Sequence, residues 1–533
     1  MTFVVVVADN IDEHGLDLLR DEQDFEVVST VGAPDRLPEE LARAHALLVR
    51  SSTRVTEDLL SRAPLLRVVG RAGIGVDNID VQAATHRGIA VINAPGANTV
   101  SAAEHAFALL LALVRRIPWA SASMRRGEWD RKRFGGTELR GKVLGLVGLG
   151  RIGAHVAGIA QAFGMDVIAF DPMLSSARAK QLGVQLVSLE KLLSWADVIS
   201  LHAPINDHTR GLLNADRLAL MKPGAVLINT ARGGLIDTEA LCDAVESGKL
   251  AGAALDVFDP EPLASDSPLR DCGNIILTPH LAASTQEAQA RVSVEISRSV
   301  RDALRTGDVG RAINVPGVSS EVLARSRGAL DLARRIGGVA AVLARGPVQA
   351  VEVDYGGRDD GAPKPVMLAA LEGVLRFSGI HAVSLINAAM IAEEREISVH
   401  RRIGKPAAGH ETTVGVKVET PDRTATVVGA LVGDQHSVIR IDDYTVDIPS
   451  IGDMLILKNR DVPGVIGRVG TVLGGGDVNI GFYYQARNER AGCDALAAVG
   501  VDQLPSAALL SKLKALPDVL EVWLVSLDNG GGG

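Results

Sequence analysis

Three polar residues near the centre of the chain carry the side chains that oxidation of a hydroxy acid requires: Arg232, Glu261 and His280. Such a reaction needs a cation to bind the carboxylate, a base to take the hydroxyl proton and a carboxylate to orient the base. Each residue follows a predicted strand, at the edge where open α/β sheets assemble their sites. Taken singly, each also fits a surface ion pair, a loop acid or a strand-end histidine, so the assignment depends on the surroundings.

A glycine-rich turn upstream predicts a dinucleotide site. Gly148, Gly150 and Gly153 have the spacing G-x-G-x-x-G directly after the apolar run 143–147, and Asp171 ends the next strand. The first glycine permits a tight turn, the second lets backbone amides reach a pyrophosphate, and the third allows close packing of helix on strand. Because the carboxylate of Asp171 would accept from the ribose hydroxyls and repel a 2′-phosphate, the pattern predicts NAD as the cofactor.

The elements that must position these residues are strands alternating with helices, the pattern of parallel β-α-β units. The first apolar runs predict a small doubly wound sheet and cover residues 4–7, 46–49, 67–69 and 90–93. The second group predicts a dinucleotide-binding sheet and covers residues 143–147, 167–170, 198–201, 225–229, 250–256 and 275–277. The predicted fold class is α/β, with doubly wound parallel sheets in a flavodoxin-like substrate domain and a Rossmann NAD domain.

The sequence pattern changes after residue 316. Longer β-patterned runs, one of them at 438–448, surround two helical patterns, which predicts an α+β module at 316–450. The segment 451–533 has the order strand, helix, strand, strand, helix, strand, which is ferredoxin-like. The terminal glycines at 530–533 are expected to be disordered. The remaining boundaries are then 1–98 with 283–315 for the substrate domain and 99–282 for the NAD domain.

Composition narrows the class of protein. A chain of 533 residues with 47% hydrophobic content can bury the cores of several domains. The net charge of −9 argues against a nucleic-acid partner, and no apolar run has the length of a membrane span. The three cysteines, Cys242, Cys272 and Cys493, show neither disulfide-framework nor metal-ligand spacing. We therefore expect a cytoplasmic protein without a metal site.

Residues 1–315 resemble the D-isomer-specific 2-hydroxyacid dehydrogenase family, because the motifs at 73–80, 93–96, 101–105 and 148–153 match it in the family's order. The resemblance implies that Arg232, Glu261 and His280 are the catalytic set. It also implies a cofactor-binding set around the glycine turn and the later strand ends: Gly148, Gly150, Arg151, Ile152, Gly153, Asp171, Thr230, Ala231, Arg232, Asp256, His280, Leu281, Ala282 and Ala283.

The C-terminal half resembles that of long-form members of the family, which oxidise 3-phospho-D-glycerate to 3-phosphohydroxypyruvate in phosphorylated serine synthesis. The segment 316–450 is similar to an allosteric substrate-binding domain, and 451–533 is similar to an ACT regulatory domain. The candidate substrate contacts are Arg50, Ser51, Gly73, Arg131 and Lys132, although the basic residues also fit solvated charged loops.

The ACT-like segment also implies an effector, L-serine. Its candidate contacts are Asn459, Asp461 and Asn479, and Asp461 and Asn479 are expected to lie close together in the ferredoxin-like sheet. The resemblance further implies a homo-oligomer, with a tetramer favoured. The alternative for this tail is a plain oligomerisation module.

Two alternative functions stay open. One is a 2-hydroxyacid dehydrogenase of the glyoxylate or D-lactate type, although simple members of the family have no need of an amino-acid sensor. The other is a non-enzymatic corepressor that senses NAD on the same scaffold, which the ACT-like tail makes improbable.

Overall fold

Four β-sheets follow one another along the chain in a computed structural model, which describes residues 2–315, 317–380, 383–433, 435–450, 452–487 and 494–526. Cys493 and the glycines at 530–533 lie outside the described residues. Each sheet falls within one of the four segments predicted from the sequence. Across the described ranges, the helices include none with the length and apolar character that would let it cross a membrane.

The first sheet is parallel, with strand order β2-β1-β3-β4-β5, which is the flavodoxin-like order. Its strands are β1 (Phe3–Val7), β2 (Phe25–Ser29), β3 (Ala46–Val49), β4 (Val68–Arg71) and β5 (Ala90–Asn93). Its helices are α1 (Glu13–Arg20), α2 (Leu37–Leu41), α3 (Glu57–Ser61) and α4 (Val81–His86). The sequence did not reveal β2, because an edge strand that carries Glu26 and Ser29 lacks a continuous apolar run.

The second sheet is also parallel and has seven strands in the order β12-β11-β10-β9-β6-β7-β8. The strands are β6 (Val143–Val147), β7 (Asp166–Phe170), β8 (Gln185–Leu186), β9 (Val198–Leu201), β10 (Ala225–Asn229), β11 (Leu250–Leu255) and β12 (Ile275–Leu277). The helices are α5 (Thr99–Val114), α6 (Ile117–Arg125), α7 (Arg151–Ala162), α8 (Ser176–Gln181), α9 (Leu189–Trp195), α10 (Ala215–Leu220), α11 (Thr238–Glu246) and α12 (Gln286–Thr306). The Rossmann prediction is confirmed, and the strand order reverses between β6 and β9.

The third sheet is mixed, with strand order β14-β13-β15-β16-β17-β18. Its helices are α13 (Ser320–Arg325), α14 (Arg327–Ala344), α15 (Pro363–Phe377) and α16 (Ala388–Glu394). Its strands are β13 (Ala350–Gly356), β14 (Ser398–Gly404), β15 (Thr412–Glu419), β16 (Thr424–Val432), β17 (Gln435–Ile441) and β18 (Tyr444–Pro449). The run predicted at 438–448 is a hairpin, because the chain turns at Asp442, which has a left-handed φ of 48°.

The fourth sheet is antiparallel with the order β20-β21-β19-β22, which confirms the ferredoxin-like prediction. Its strands are β19 (Asp453–Arg460), β20 (Ile480–Arg487), β21 (Asp494–Val501) and β22 (Val519–Ser526), and its helices are α17 (Val465–Gly474) and α18 (Ala507–Lys514).

The predicted closeness of Asp461 and Asn479 within this sheet is wrong. β19 and β20 run in the same direction on either side of β21, so Asp461 follows the end of β19 whereas Asn479 precedes the start of β20. The two residues therefore lie at opposite ends of strands about 25 Å long.

The hydrophobic cores show which parts of the molecule are packed together. The two clusters of the second sheet are built from residues between 103 and 277. A different cluster runs without interruption from β1 and α12 through α14 and the third sheet to one face of the fourth sheet. Helix α12 packs on α1 and β4, so the chain returns to the first sheet after the second one is complete. The C-terminal half is thus joined by its core to the substrate domain.

Candidate active site

The glycine turn after β6 has the geometry of a dinucleotide site. Gly148 has a φ of 95°, and a Cβ there would lie 2.7 Å from the carbonyl oxygen of His202 at the end of β9. A Cβ on Gly153 would lie 2.3 Å from the carbonyl oxygen of Gly148. A Cβ on Gly150, which caps α7, would meet open space. The turn therefore leaves the N-terminus of α7, with Arg151 and Ile152, open to an anionic ligand.

The acidic residue of this site is held against the same turn. Asp171 accepts hydrogen bonds from the backbone N–H groups of Leu149 at 2.9 Å and Met173 at 2.9 Å. Its carboxylate therefore stands where a ribose would be bound, beside the open end of α7. At the end of β10, the buried hydroxyl of Thr230 has no hydrogen-bond partner among the described residues. An orphaned hydroxyl here fits a group that binds the cofactor.

The predicted acid–base pair is present. His280 Nδ1 lies 2.8 Å from Glu261 Oε2, and the other oxygen of Glu261 accepts from the backbone N–H of Phe258 at 3.0 Å. Desolvation raises the pKa of Glu261, but the hydrogen bonds from His280 and Phe258 outweigh it and leave that pKa below its ordinary value. Glu261 therefore stays ionised and can hold the imidazole in one orientation.

The backbone around His280 is fixed by a buried carboxylate. His280 has a left-handed φ of 55°, which a non-glycine residue keeps only where its surroundings impose it. Asp256 accepts from Thr278 Oγ1 at 2.6 Å, Leu281 N at 2.8 Å and Ala282 N at 2.9 Å. Its side chain has no exposed surface. Asp256 thus positions the loop, and the cofactor contact implied by the resemblance stays a prediction.

Arg232 reaches the cleft from the turn after β10. Asn229 fixes that turn, since its side chain accepts from Ala231 N at 3.0 Å and donates to the carbonyl of Arg232 at 2.8 Å. Arg232 Nε donates to Asp77 Oδ2 at 2.8 Å across the cleft. A Cβ on Gly75 would lie 1.7 Å from Arg232 Nη2, so the glycine of the 73–80 motif leaves space for the guanidinium.

A cleft separates the first two sheets and brings three predicted substrate contacts to the predicted base. Its lining includes residues from both domains: Asn10, Arg50, Ser51, Arg71, Gly73, His280, Ala283, Ser284 and Gln289. The structure thus places Arg50, Ser51 and Gly73 in one cleft with His280, and their contact with substrate stays a prediction. The basic run at Arg131 and Lys132 does not line this cleft, and both side chains are exposed after α6.

Arg71 is a cleft residue that the sequence analysis missed. Its Nη1 donates to its neighbour's carbonyl, Ala72 O, at 3.2 Å, while its buried Nε has no partner among the described residues. Burial, together with the charges of Arg232 and Arg50, lowers the pKa of Arg71 to about 10. A Cβ on Gly73 would lie 1.4 Å from Arg71 Nη1. The available signal was its place at the end of β4, directly before the glycine motif.

The candidate effector residues lie in the fourth sheet. Asp461 pairs with Arg487 Nε at 2.8 Å, and Asn479 donates to Asp502 Oδ2 at 2.6 Å. Asn459 is buried, and its Oδ1 has no partner in the part of the chain that the structure describes. The single chain therefore does not gather these residues into one site.

Comparison with known proteins agrees with this geometry. Residues 107–282 match the family described as D-isomer specific 2-hydroxyacid dehydrogenase, NAD binding domain, and residues 315–442 match the D-3-phosphoglycerate dehydrogenase intervening domain. The chain is 40% identical over 529 residues to the D-3-phosphoglycerate dehydrogenase of Synechocystis sp., which covers 98% of this chain and 94% of that protein. It is 40% identical over 527 residues to the D-3-phosphoglycerate dehydrogenase of Bacillus subtilis, which covers 98% of this chain and 100% of that protein.

Among solved structures, the chain is similar to the D-lactate dehydrogenase of Aquifex aeolicus complexed with NAD and lactic acid. The sequence identity is 33% and the TM-score is 0.51, with 58% of this chain and 97% of that chain covered.

Proposed function

The chain belongs to the D-3-phosphoglycerate dehydrogenase family, and we propose that it oxidises 3-phospho-D-glycerate to 3-phosphohydroxypyruvate with NAD, the first step of phosphorylated serine synthesis. One observation carries this proposal: the pair of His280 and Glu261 lies at a cleft that also holds Arg50 and Arg71, with Arg232 near enough for its charge to act on Arg71. The cleft therefore combines a base with more positive charge than a carboxylate alone would need.

The number of cations favours a phosphorylated substrate. Lactate and glyoxylate carry one carboxylate, for which Arg232 is sufficient. A phosphate monoester adds a charge of about −1.5 to −2 at neutral pH. Arg50 and Arg71 remain for that group, and the lowered pKa of Arg71 reflects a buried cation whose nearest charged neighbours include two further arginines. A bound dianion would relieve this repulsion.

The residues of the chain divide the reaction between them. Arg232 binds the carboxylate of the substrate, and the imidazole of His280 takes the hydroxyl proton from the oxygen on C2. Glu261 accepts from Nδ1–H, which leaves Nε2 as the acceptor and stabilises the imidazolium after proton transfer. Arg151, Ile152 and Asp171 would hold the dinucleotide. When bound, NAD supplies the acceptor for the hydride that leaves C2.

The test is the initial rate of NADH formation with 3-phosphoglycerate, D-glycerate and D-lactate at matched concentrations. We expect kcat/KM for 3-phosphoglycerate to exceed the other two by at least about 100-fold, because two more charged contacts are made. Equal rates with D-lactate would favour the alternative dehydrogenase. A chain that binds NADH and oxidises none of the three substrates would favour the corepressor.

We also propose that L-serine binds between two copies of the tail, since β20 is an edge strand of the fourth sheet. Two-fold antiparallel pairing of β20 would bring the start of one strand to the end of the other. Asn479 of one copy would then face Asp461 and Arg487 of the second, which offer partners for an ammonium and a carboxylate. Turnover measured against L-serine should fall for wild type and fall much less for Asp461→Ala. Equal inhibition of both would remove Asp461 from the serine site, and a wild type that ignores L-serine would leave the tail an oligomerisation module.

A second surface supports the predicted tetramer. Ile117 and Met124 on α6 are each 54% exposed, and Trp129 is 77% exposed directly before the basic run. Apolar side chains exposed together mark a contact surface. We propose that a second copy covers them, which would bring Arg131 and Lys132 to the cleft of that copy. Two different two-fold interfaces, here and at β20, generate a tetramer.

The cytoplasmic location stays a prediction.

A further inference from the structure

The carboxylate that fixes the His280 loop has a fourth neighbour whose role the proposed reaction does not explain. His105 Nε2 lies 3.2 Å from Asp256 Oδ1 and 3.3 Å from Thr278 Oγ1. The hydroxyl of Thr278 already donates its hydrogen to Asp256. Both oxygens near His105 can therefore only accept, so Nε2 must carry the hydrogen of this contact.

Asp256 needs such a donor, because a carboxylate with no exposed surface has lost all its hydration. Desolvation raises the pKa of Asp256, but hydrogen bonds, first among them the one from His105, outweigh it and leave that pKa below its ordinary value. An ionised Asp256 is what the loop requires, since it accepts the backbone N–H groups of Leu281 and Ala282 on one side of His280 and the hydroxyl of Thr278 on the other.

Helix α5 reaches this loop at two points. Ser101 Oγ donates to the carbonyl of Ala282 at 2.7 Å, and His105 lies four residues further on, so both face the loop. The helix is thus a rigid support for the segment that carries the base.

We propose that His105 is a positioning residue for the base: by donating through Nε2 to Asp256, it keeps the loop 278–282 in the form that holds His280 at its left-handed backbone conformation. The role rests on the proposed function only in that His280 is the base. His105 does not touch the substrate, and its effect should fall on the chemical step because a displaced base costs rate and leaves binding nearly intact.

The first experiment compares His105→Leu, which removes the donor, with His105→Gln, whose amide can restore it. For His105→Leu we expect kcat to fall by ~10-fold or more while KM for 3-phosphoglycerate and Kd for NADH change by less than about twofold. His105→Gln should recover most of kcat. His400→Leu, which alters an exposed histidine of β14, is the matched control. The proposal is overturned if His105→Leu keeps its kcat, or if His105→Gln is equally impaired.

The second experiment tests whether His105 acts through Asp256. In an Asp256→Asn background, adding His105→Leu should lower kcat by less than about twofold, whereas two independent effects would multiply. Multiplying effects would contradict the proposal.

A third measurement needs no substrate and therefore separates this proposal from the proposed function. Amide hydrogen exchange of Leu281 and Ala282 should accelerate in His105→Leu and stay near the wild-type rate in His105→Gln. If 3-phosphoglycerate proves not to be the substrate, this result still decides the role of His105. Unchanged exchange in His105→Leu would exclude it.

Discussion

Two buried aspartates hold the two walls of the cleft. In the wall from the first sheet, Asp9 accepts from Arg50 N at 2.6 Å and from the backbone and hydroxyl of Thr53 at 3.2 Å and 2.7 Å. In the wall from the second sheet, Asp256 accepts from one hydroxyl and two backbone N–H groups of the loop that carries His280. Each aspartate follows a strand of a parallel sheet, and each fixes a loop that carries a residue assigned to the substrate, Arg50 in one case and His280 in the other.

The walls differ in what those loops present. The first wall offers Arg50 and Arg71, which stay charged at any physiological pH. The second offers His280, which can exchange a proton. The same backbone device can therefore support either permanent charge or acid–base chemistry, depending on one side chain. We expect variants of Arg50 and Arg71 to affect substrate binding and variants of the loop held by Asp256 to affect the chemical step. Arg232 follows β10 and lies outside both of these loops.

The largest effect is expected in the second wall. His280→Ala should lower kcat by ~100-fold or more, the usual loss when a general base is removed, with KM for 3-phosphoglycerate nearly unchanged. Steady-state kinetics with His400→Ala as the control would measure it. A kcat close to that of wild type would remove His280 from the chemistry and end the proposed division between the walls.

The matching change in the first wall is Arg71→Met, which keeps much of the side-chain volume but not the charge. We expect kcat/KM for 3-phosphoglycerate to fall by ~10- to 100-fold through KM, as for a lost hydrogen bond to a charged group. Rates with D-glycerate, which lacks the phosphate, should change little. Arg178→Met on exposed α8 is the control. A loss confined to kcat would contradict the assignment of this wall to binding.

Outside both walls, a buried histidine in the domain of the second sheet should make the fold sensitive to acid. His202, beside the glycine turn, has a buried Nδ1 without a partner among the described residues, and burial lowers the pKa of His202 to about 4. Between pH 6.5 and that value the unfolded chain binds a proton that the folded chain does not, so acid destabilises the fold. Between pH 6.5 and pH 5 this amounts to about 2 kcal/mol.

His202→Gln should therefore lose less thermal stability than wild type when the pH is lowered from 7 to 5, because it removes the group that binds the extra proton. Unfolding midpoints at both pH values, with His400→Gln alongside, would measure the difference. Identical acid sensitivity of the His202 variant and wild type would show that the buried imidazole is not the source.

The smallest effect concerns cofactor choice. Asp171→Ala should reduce the preference for NAD over NADP by ~10-fold, because the carboxylate that would repel a 2′-phosphate is removed. The ratio of kcat/KM for the two cofactors measures it, and Asp166→Ala, at the exposed start of the same strand, is a suitable control. A ratio that does not move would show that Asp171 does not contact the ribose.

The sequence alone predicted those site residues that follow a strand with a recognisable apolar run. The glycine turn, Asp171 and the pair of Glu261 and His280 all lie in segments that follow the carboxyl ends of apolar strands, so their common edge could be inferred. Arg71 lies at the same edge of its sheet, but the predicted run ended at residue 69, so the sequence analysis did not place Arg71 at a strand end. Only the packing shows that Gly73 makes room for its guanidinium.

Other errors have topological causes. Asp461 and Asn479 follow and precede strands that are not adjacent in the sheet, and the sequence pattern contains no information about strand order. The hairpin of β17 and β18 was predicted as one strand because β-branched residues lie on both sides of Asp442 and Asp443. The role of Asp256 in holding the His280 loop was not predicted, because its contact with α5 joins residues that lie far apart in sequence.

The hydrogen bond from Ser101 to Ala282 joins the point where the chain enters the second sheet's domain to the point where it leaves. That domain also closes both of its own cores, while the core of the first sheet continues into the tail. The cofactor domain is thus an insertion with neighbouring ends, and such a segment can be exchanged as a cassette. A homologous domain of different redox-cofactor preference could be grafted at these two residues, while the remainder of the chain would keep its own core.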